Sequence, residues 1–320
     1  MAMLVAGGAG FIGSHFVDFM LQKEHDLKIV CFDCLTYAGS MDNLQDAKSY
    51  GDRFRFILGD IADRATVEKA FQEEKPEVVV NFAAESHVDR SIVSPKAFLE
   101  TNILGTQTLM DACLRHGTKR FHQVSTDEVY GEAQIGESAI AFSEDAPLKP
   151  GNPYSASKAG ADLLVMAYMR TFGLKATISR SSNVYGSRQY PEKLIPVLVQ
   201  RAVNGMTLPL YGDGGQMRDW LHVSDACKAI AFIIERGSEG ETYNMPGGNE
   251  IRNIDLAKKV CSVLGAEERI EFVEDRKGHD ARYLIDGQKI KKLGWRVEKP
   301  FDDGFRETVM QYMRLFLKEA

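Results

Sequence analysis

Seven residues, Gly7-Gly8-Ala9-Gly10-Phe11-Ile12-Gly13, follow directly on the apolar run Leu4–Ala6 and open the helical spacing of Phe11–Lys23. No other feature constrains the fold of this chain so strongly. Gly7, Gly10 and Gly13 let a backbone turn sharply from strand into helix and bring main-chain N–H groups up to a diphosphate. The strand before and the helix after are the context that gives the glycines meaning. The same alternation continues downstream. Lys28–Phe32, Arg53–Leu58, Glu77–Phe82, Arg120–Ser125 and Lys175–Ser179 read as strands, and Arg64–Glu74, Pro95–Arg115 and Tyr154–Phe172 as helices. Apolar strands separated by helices predict an α/β fold, a Rossmann-type doubly wound parallel sheet.

Past residue 180 the alternation loosens. Glycines cluster in Gly212-Asp213-Gly214-Gly215, and helical spacing persists at Lys193–Val203, Val223–Glu235, Ile254–Leu264 and Asp303–Leu317. The expected division is a dinucleotide-binding domain over 1–180, to which 220–240 returns. Residues 181–320 then form mainly a smaller C-terminal substrate-binding region. The chain has 39 cationic and 45 anionic side chains, a net charge of −6. That balance gives no footprint for nucleic acid or an anionic membrane. No apolar run approaches the ~20 residues of a membrane span, and no basic segment precedes Leu4, so a cytoplasmic protein is expected. The five cysteines are scattered and odd in number. Cys31 and Cys34 lack the second pair a metal site needs and read as packing residues; no metal is expected.

Asp33 stands at the end of the second strand, about 20 residues past the last glycine, where a carboxylate accepts from a ribose 2′-hydroxyl. A carboxylate there repels a 2′-phosphate, which favours NAD over NADP. Asp60, after the third strand, is placed to accept from an adenine amino group.

Tyr154 and Lys158 are spaced i, i+4 at the start of a long helix and share one face. The lysine charge is expected to lower the phenol's pKa so that Tyr154 works as a base near neutral pH. Thr126-Asp127-Glu128 follows the fifth strand, at the edge where open α/β sheets hold their ligands. Eliminating water across two carbons needs an acid and a base. Asp127 protonated and Glu128 ionised would supply them, their pKa values pushed apart by burial and mutual repulsion.

Joined in this order, the glycine turn, Asp33 and Tyr154…Lys158 resemble the extended short-chain dehydrogenase/reductases that act on nucleotide sugars. Further stretches resemble the dTDP-glucose 4,6-dehydratase family over almost the whole chain. They are Ala83–Ser91, Ser125–Gly131, Pro153–Lys158, Tyr190–Pro196, Tyr211–Gly214, Arg218–Val223 and Asp275–Asp280. The resemblance implies an NAD site lined by Gly7, Gly10, Phe11, Ile12 and Gly13 at the turn. Asp33, Asp60, Ile61, Ala83 and Ala84 would lie beyond it, with Tyr154, Lys158 and Asn183 at the reacting end. It implies catalysis by Thr126, Asp127, Glu128, Tyr154 and Lys158: oxidation at C4, loss of water across C5 and C6, and return of hydride to C6. Ser86, His87 and Thr126 would lie by the hexose, and Asn183, Lys193 and Arg218 by the diphosphate. Asn253, Arg276, His279 and Tyr283 would close over the nucleotide. It also implies a homodimer built on the helices at 95–115 and 154–172. A UDP-glucose or UDP-N-acetylglucosamine substrate, and 4-epimerisation or decarboxylation on the same scaffold, are the alternatives; Asp127 speaks against the last two. Val184, Gly186–Gln189 and Gly215–Met217 depart from the family's pattern, which bears on the base and the sugar more than on the chemistry.

Overall fold

A computed structural model describes residues 1–136 and 139–318. Seven strands form one parallel sheet: β1 (Ala2–Ala6), β2 (Lys28–Asp33), β3 (Phe54–Leu58), β4 (Val78–Asn81), β5 (Arg120–Thr126), β6 (Ala176–Ser181) and, from far along the chain, the segment Thr242–Met245. Their order across the sheet is Thr242–Met245, β6, β5, β4, β1, β2, β3. The order reverses between β1 and β4, and all the strands' C-terminal ends fall on one edge.

Alternate residues of each strand feed two cores, as a sheet covered on both faces requires. Met3 and Val5 of β1 face one way, with Ile29 and Cys31. They meet α1 (Phe11–Lys23) and the helix Val223–Arg236, which pack on each other. Leu4 and Ala6 face the other way, with Phe32 and Val79. They meet α2 (Arg64–Glu74) and two later helices, Thr106–His116 and α5 (Pro153–Phe172).

The long helix expected from Pro95 is present with an interruption. The short helix α3 (Val88–Val93) precedes it, and Leu99–Gly105 is a π-helical stretch that runs straight into α4 (Thr106–His116). Cys31 is buried, as a packing residue should be, but Cys34 is exposed at the end of β2. The reason is positional: Asp33 is the strand's last residue, and Cys34 lies beyond the sheet.

A third core lies beyond β6. It is filled by Tyr185 of β7 (Asn183–Tyr185), by Ile195 and Val199 of α6 (Leu194–Val203), and by Leu208 of β8 (Leu208–Tyr211) and Trp220 of β9 (Met217–His222). After α7 (Val223–Arg236) and β10 (Thr242–Met245) the chain returns there. β11 (Glu250–Arg252), α8 (Asn253–Leu264) and β12 (Ile270–Val273) lead through the short α9 (Gln288–Leu293) to α10 (Phe301–Lys318). Strands β11, β9 and β7 form a small sheet, and β12 pairs with β8. α7 and β10 belong to the large sheet, and Ile290 and Trp295 pack on its first core. No helix among the described residues is long and apolar enough to cross a membrane.

Candidate active site

Three cavities run end to end along the C-terminal edge of the large sheet. The first, about 120 Å³, is lined by Gly7, Gly10, Asp33, Asp60, Ile61, Ala83 and Ala84. It shares Gly7, Gly10 and Ala84 with a second of about 270 Å³. This one adds Phe11, Ile12 and Gly13 and carries Thr126, Asp127, Glu128, Tyr154, Lys158 and Asn183 on its walls. A third, about 400 Å³, shares Ser86, Glu128, Asn183 and Lys193 with the second. It reaches out past His87, Arg218, Asn253, Arg276 and His279.

The glycine turn is built for a ligand and for itself in different places. A Cβ on Gly13 would stand 2.2 Å from the Gly7 carbonyl oxygen, and one on Gly7, at φ +74°, 2.5 Å from the Ala83 nitrogen. Those two positions are closed by the chain's own backbone. At Gly10, φ −77°, a Cβ meets only the Gly7 oxygen, at 3.3 Å. Gly10 begins α1 with no side-chain cap and no acid in the first turn, so the helix end keeps its attraction for an anion.

Asp33 accepts from the backbone N–H of Ala9 at 2.9 Å and of Leu35 at 2.8 Å. It therefore ties strand end to glycine turn while lining the first cavity. Burial raises its pKa and the two N–H donors oppose the rise. The first cavity has Asp33, Asp60 and Glu85 among its lining residues and no arginine or lysine, which suits an unphosphorylated ribose.

At the other end α5 delivers Tyr154 and Lys158. Asn152 caps it by accepting from Ser155 N–H at 2.9 Å, and the Ser155 hydroxyl accepts from Asn152 N–H at 3.2 Å. Lys158 donates to the Val124 carbonyl at 2.7 Å, and burial pushes its pKa down to about 8. Tyr154 does not behave as the lysine alone would make it. Burial, then Glu128 and Asp127, push its phenol well above the ordinary value, and only the Thr126 hydroxyl beside it pulls down. Burial is the larger cause, and the Lys158 ammonium is committed to the Val124 carbonyl.

The acid pair sits on a 3₁₀ turn, Asp127–Tyr130, capped by Thr126. Asp127 is 2% exposed, its Oδ2 has no hydrogen-bond partner, and Thr126 donates to its Oδ1 at 3.3 Å. Burial, then Glu128 and Asp219, raise its pKa well above the carboxylate range. Glu128 is raised too, mainly by burial, but Arg218, Arg276 and Lys193 hold it down. Both carboxyls are therefore raised, Asp127 the more strongly, so Asp127 holds its proton more tightly than Glu128.

Most of the residues expected around a nucleotide sugar come together in the third cavity. Lys193 donates to the Ser86 carbonyl at 2.9 Å, and His87 begins α3 by accepting from Arg90 N–H at 3.3 Å. Arg218 donates to the carbonyls of Met217 and Asp280, at 2.7 and 2.8 Å, and lies over the Tyr283 ring. Tyr283 itself does not line the cavity. It is buried behind it, donates to Asp280 at 2.9 Å, and has its hydroxyl 3.4 Å from Glu128. Asn183 Oδ1, Asn253 Oδ1 and Arg276 Nε are shut from solvent with no partner. So many unpaired polar atoms along one trough are the mark of a polar ligand.

Several residues here were not singled out from the sequence. Glu192 lines both larger cavities, and Gln189, Tyr190 and Ala38 line the second. Asn102, in the π-helical stretch, clasps the backbone of Glu85 from both sides. Glu192 stands in a stretch carrying the family resemblance, but Asn102 had no signal at all.

Residues 4–308 match the family described as GDP-mannose 4,6 dehydratase. A dTDP-glucose 4,6-dehydratase from Escherichia coli (strain K12) is 43% identical over 98% of this chain and 93% of its own length. The chain belongs to the nucleotide-sugar 4,6-dehydratase family. Another relative, the low-salt glycan biosynthesis protein Agl12 of Haloferax volcanii, is 51% identical over 98% of this chain and 99% of its own. Among solved members of this dehydratase family, the dTDP-glucose 4,6-dehydratase of Streptomyces venezuelae with NAD bound superposes with a TM-score of 0.93. It is 45% identical and covers 98% of this chain and 97% of its own. The UDP-glucose 4-epimerase of Thermus thermophilus shares the fold at a TM-score of 0.89 but only 31% of the sequence.

Proposed function

We infer that the protein dehydrates dTDP-glucose to dTDP-4-keto-6-deoxyglucose in an NAD-dependent hydro-lyase reaction. The observation that carries this reading is the buried Asp127 carboxyl, its Oδ2 without a hydrogen-bond partner, beside Glu128 in the cavity that Tyr154 also lines. An epimerase or decarboxylase has no need of a buried acid to expel a C6 hydroxyl. The first two cavities fit NAD: glycine turn and uncapped helix for the diphosphate, Asp33 for the ribose, Lys158 and Tyr154 at the reacting end.

Bound NAD would take up hydride from the sugar C4 and give it back at C6. Tyr154 is placed to take the proton of the 4-hydroxyl, with Thr126 as its hydrogen-bond partner; burial and the acid pair raise its phenol, and the positive charge of bound NAD would be what brings it down. A ketone at C4 acidifies the proton on C5. Glu128 removes that proton while Asp127 donates to the departing C6 hydroxyl. Glu128 then returns a proton to C5. Lys193, Arg218 and Arg276 supply positive charge for the diphosphate.

The exposed apolar side chains Leu99, Leu104 and Leu163 lie on the helices at 96–116 and 153–172. They support a homodimer built on those helices. Sedimentation should give twice the chain mass, and Leu163→Glu should halve it. We place the enzyme in the cytoplasm, where its five unpaired cysteines stay reduced. Residues 1–181, with 223–245 returning to the same sheet, serve as the NAD domain and the rest mainly as the sugar-nucleotide region.

The direct test is mass spectrometry after incubation with dTDP-glucose, UDP-glucose and UDP-N-acetylglucosamine in turn. Loss of one water from dTDP-glucose is expected. No loss from any of them, with NAD supplied, would overturn the reading.

A further inference from the structure

The groups proposed for catalysis come from elements that pack on each other. Thr126, Asp127 and Glu128 come from the end of β5 and the turn after it, and Tyr154 from the start of α5. Glu192 enters from elsewhere, on the segment between β7 and α6, and lines both the cavity that holds Tyr154 and the one that holds Arg218. Its carboxylate is only partly satisfied, and the Tyr37 hydroxyl lies against it. Oε1 is shut from solvent without a hydrogen-bond partner. Oε2 lies 3.6 Å from both His87 Nε2 and Arg90 NH2, too long for a normal hydrogen bond. Beside Glu192, Lys193 is tied to the Ser86 carbonyl.

A walled-in carboxylate with free lone pairs calls for hydroxyl or N–H donors. The diphosphate cannot supply them and would be repelled. On the hexose, C1 carries the phosphate, C5 carries the ring oxygen, and the hydroxyls at C4 and C6 are consumed by the reaction. Only the hydroxyls at C2 and C3 remain. With C4–C6 against Tyr154, Asp127 and Glu128, those two face away from the catalytic groups. We propose that Glu192 is the residue that reads the sugar, accepting hydrogen bonds from the C2 and C3 hydroxyls. This rests on the dehydration reading above.

The test compares dTDP-glucose with its 2-deoxy and 3-deoxy analogues on the NAD-loaded wild type, Glu192→Gln and Glu192→Leu. Water loss from dTDP-glucose by the wild type establishes the reaction separately, and its absence overturns this assignment along with that reading. Removing a hydroxyl that Glu192 binds should lower wild-type kcat/KM about 10- to 100-fold. Glu192→Leu should lose the same factor on dTDP-glucose and nothing further on the deoxy analogue. Glu192→Gln, which keeps one acceptor, should fall between. NAD affinity measured on each variant guards against a folding defect, and Glu192→Gln is the conservative arm if Glu192→Leu does not fold. Equal fold-losses on dTDP-glucose and on both deoxy analogues would overturn the proposal, since Glu192 would then act without touching either hydroxyl.

Discussion

The Asn102 side chain donates to the Ser157 hydroxyl at 2.8 Å, one residue before Lys158, while its amide also accepts from Glu85 N–H at 2.9 Å and donates to the Glu85 carbonyl at 3.0 Å. One buried amide therefore joins the loop that precedes Ser86 to the helix that carries Tyr154 and Lys158. The π-helical stretch Leu99–Gly105 is what turns Asn102 inward at this point, and such irregular turns gather at functional sites. Asn102→Ala strands both backbone groups of Glu85. A loss of roughly 2–4 kcal/mol is expected in chemical denaturation. In the protein that remains folded, kcat should fall more than KM rises. A loss below about 0.5 kcal/mol would show that the clasp is not a structural tie.

Asp127 and Glu128 should separate in their phenotypes. Glu128→Gln keeps the 4-hydroxyl oxidation, so reduced nicotinamide should accumulate on the enzyme and be visible in its near-ultraviolet absorbance, with product formation down about 10²- to 10⁴-fold. Asp127→Asn should slow water loss by a similar factor. Wild-type turnover should fall on the acid side as Glu128 takes up a proton and on the alkaline side as Asp127 loses one. A flat alkaline limb would remove Asp127 as the acid.

The raised pKa of Asp127 also has a stability cost with a definite sign. Its ordinary value is 3.8 and burial lifts it in the folded protein. Between those two values the folded state binds the proton that the unfolded state has released, so stability falls as pH rises. Asp127→Asn removes that dependence. It should therefore be more stable than the wild type at pH 7, with the gap closing as pH drops toward the ordinary carboxylate range. Parallel urea titrations at neutral and acid pH check this, and a gap that widens in acid would contradict it.

Gly10 and Gly13 should not be equivalent. Gly13→Ala forces a carbon against the Gly7 carbonyl and should abolish folding. Gly10→Ala has only one mild contact to accommodate, so thermal denaturation should show a loss under about 1 kcal/mol. Its NAD affinity should drop at least about 10-fold, because the added methyl stands where the diphosphate approaches. Titration of NAD by calorimetry separates the two outcomes.

Asp33→Ala should weaken NAD and also cost roughly 1–3 kcal/mol, since it leaves Ala9 and Leu35 N–H groups unpaired. It should not produce an NADP enzyme, because Asp60 and Glu85 still line the same cavity. Comparing the affinities for NAD and NADP in the variant decides this.

Much of the fold was legible because it rests on local patterns. Apolar runs such as Val78–Val80 and the glycine turn from Gly7 to Gly13 commit their segments to strand, turn and helix whatever lies around them. Once those alternate, the parallel sheet and its ligand-bearing edge follow. Tyr154 and Lys158 could be paired from i, i+4 spacing alone. Thr126, Asp127 and Glu128 could be placed at that edge because they follow a strand.

The electrostatics and the far wall were decided by tertiary structure. Whether a phenol is lowered or raised depends on which charges lie within a few ångströms, and Asp127, Glu128 and Tyr154 meet only when β5 and α5 are folded together. Tyr283, 155 positions from Glu128, reaches it from behind and not across the cavity. Glu192 becomes a candidate for reading the sugar only because its segment folds against the same two cavities that Glu128 lines. Sequence determined which groups lie along each element, since that is set by the backbone's own period. Burial and facing charge are sums over distant segments, and those only the folded chain could fix.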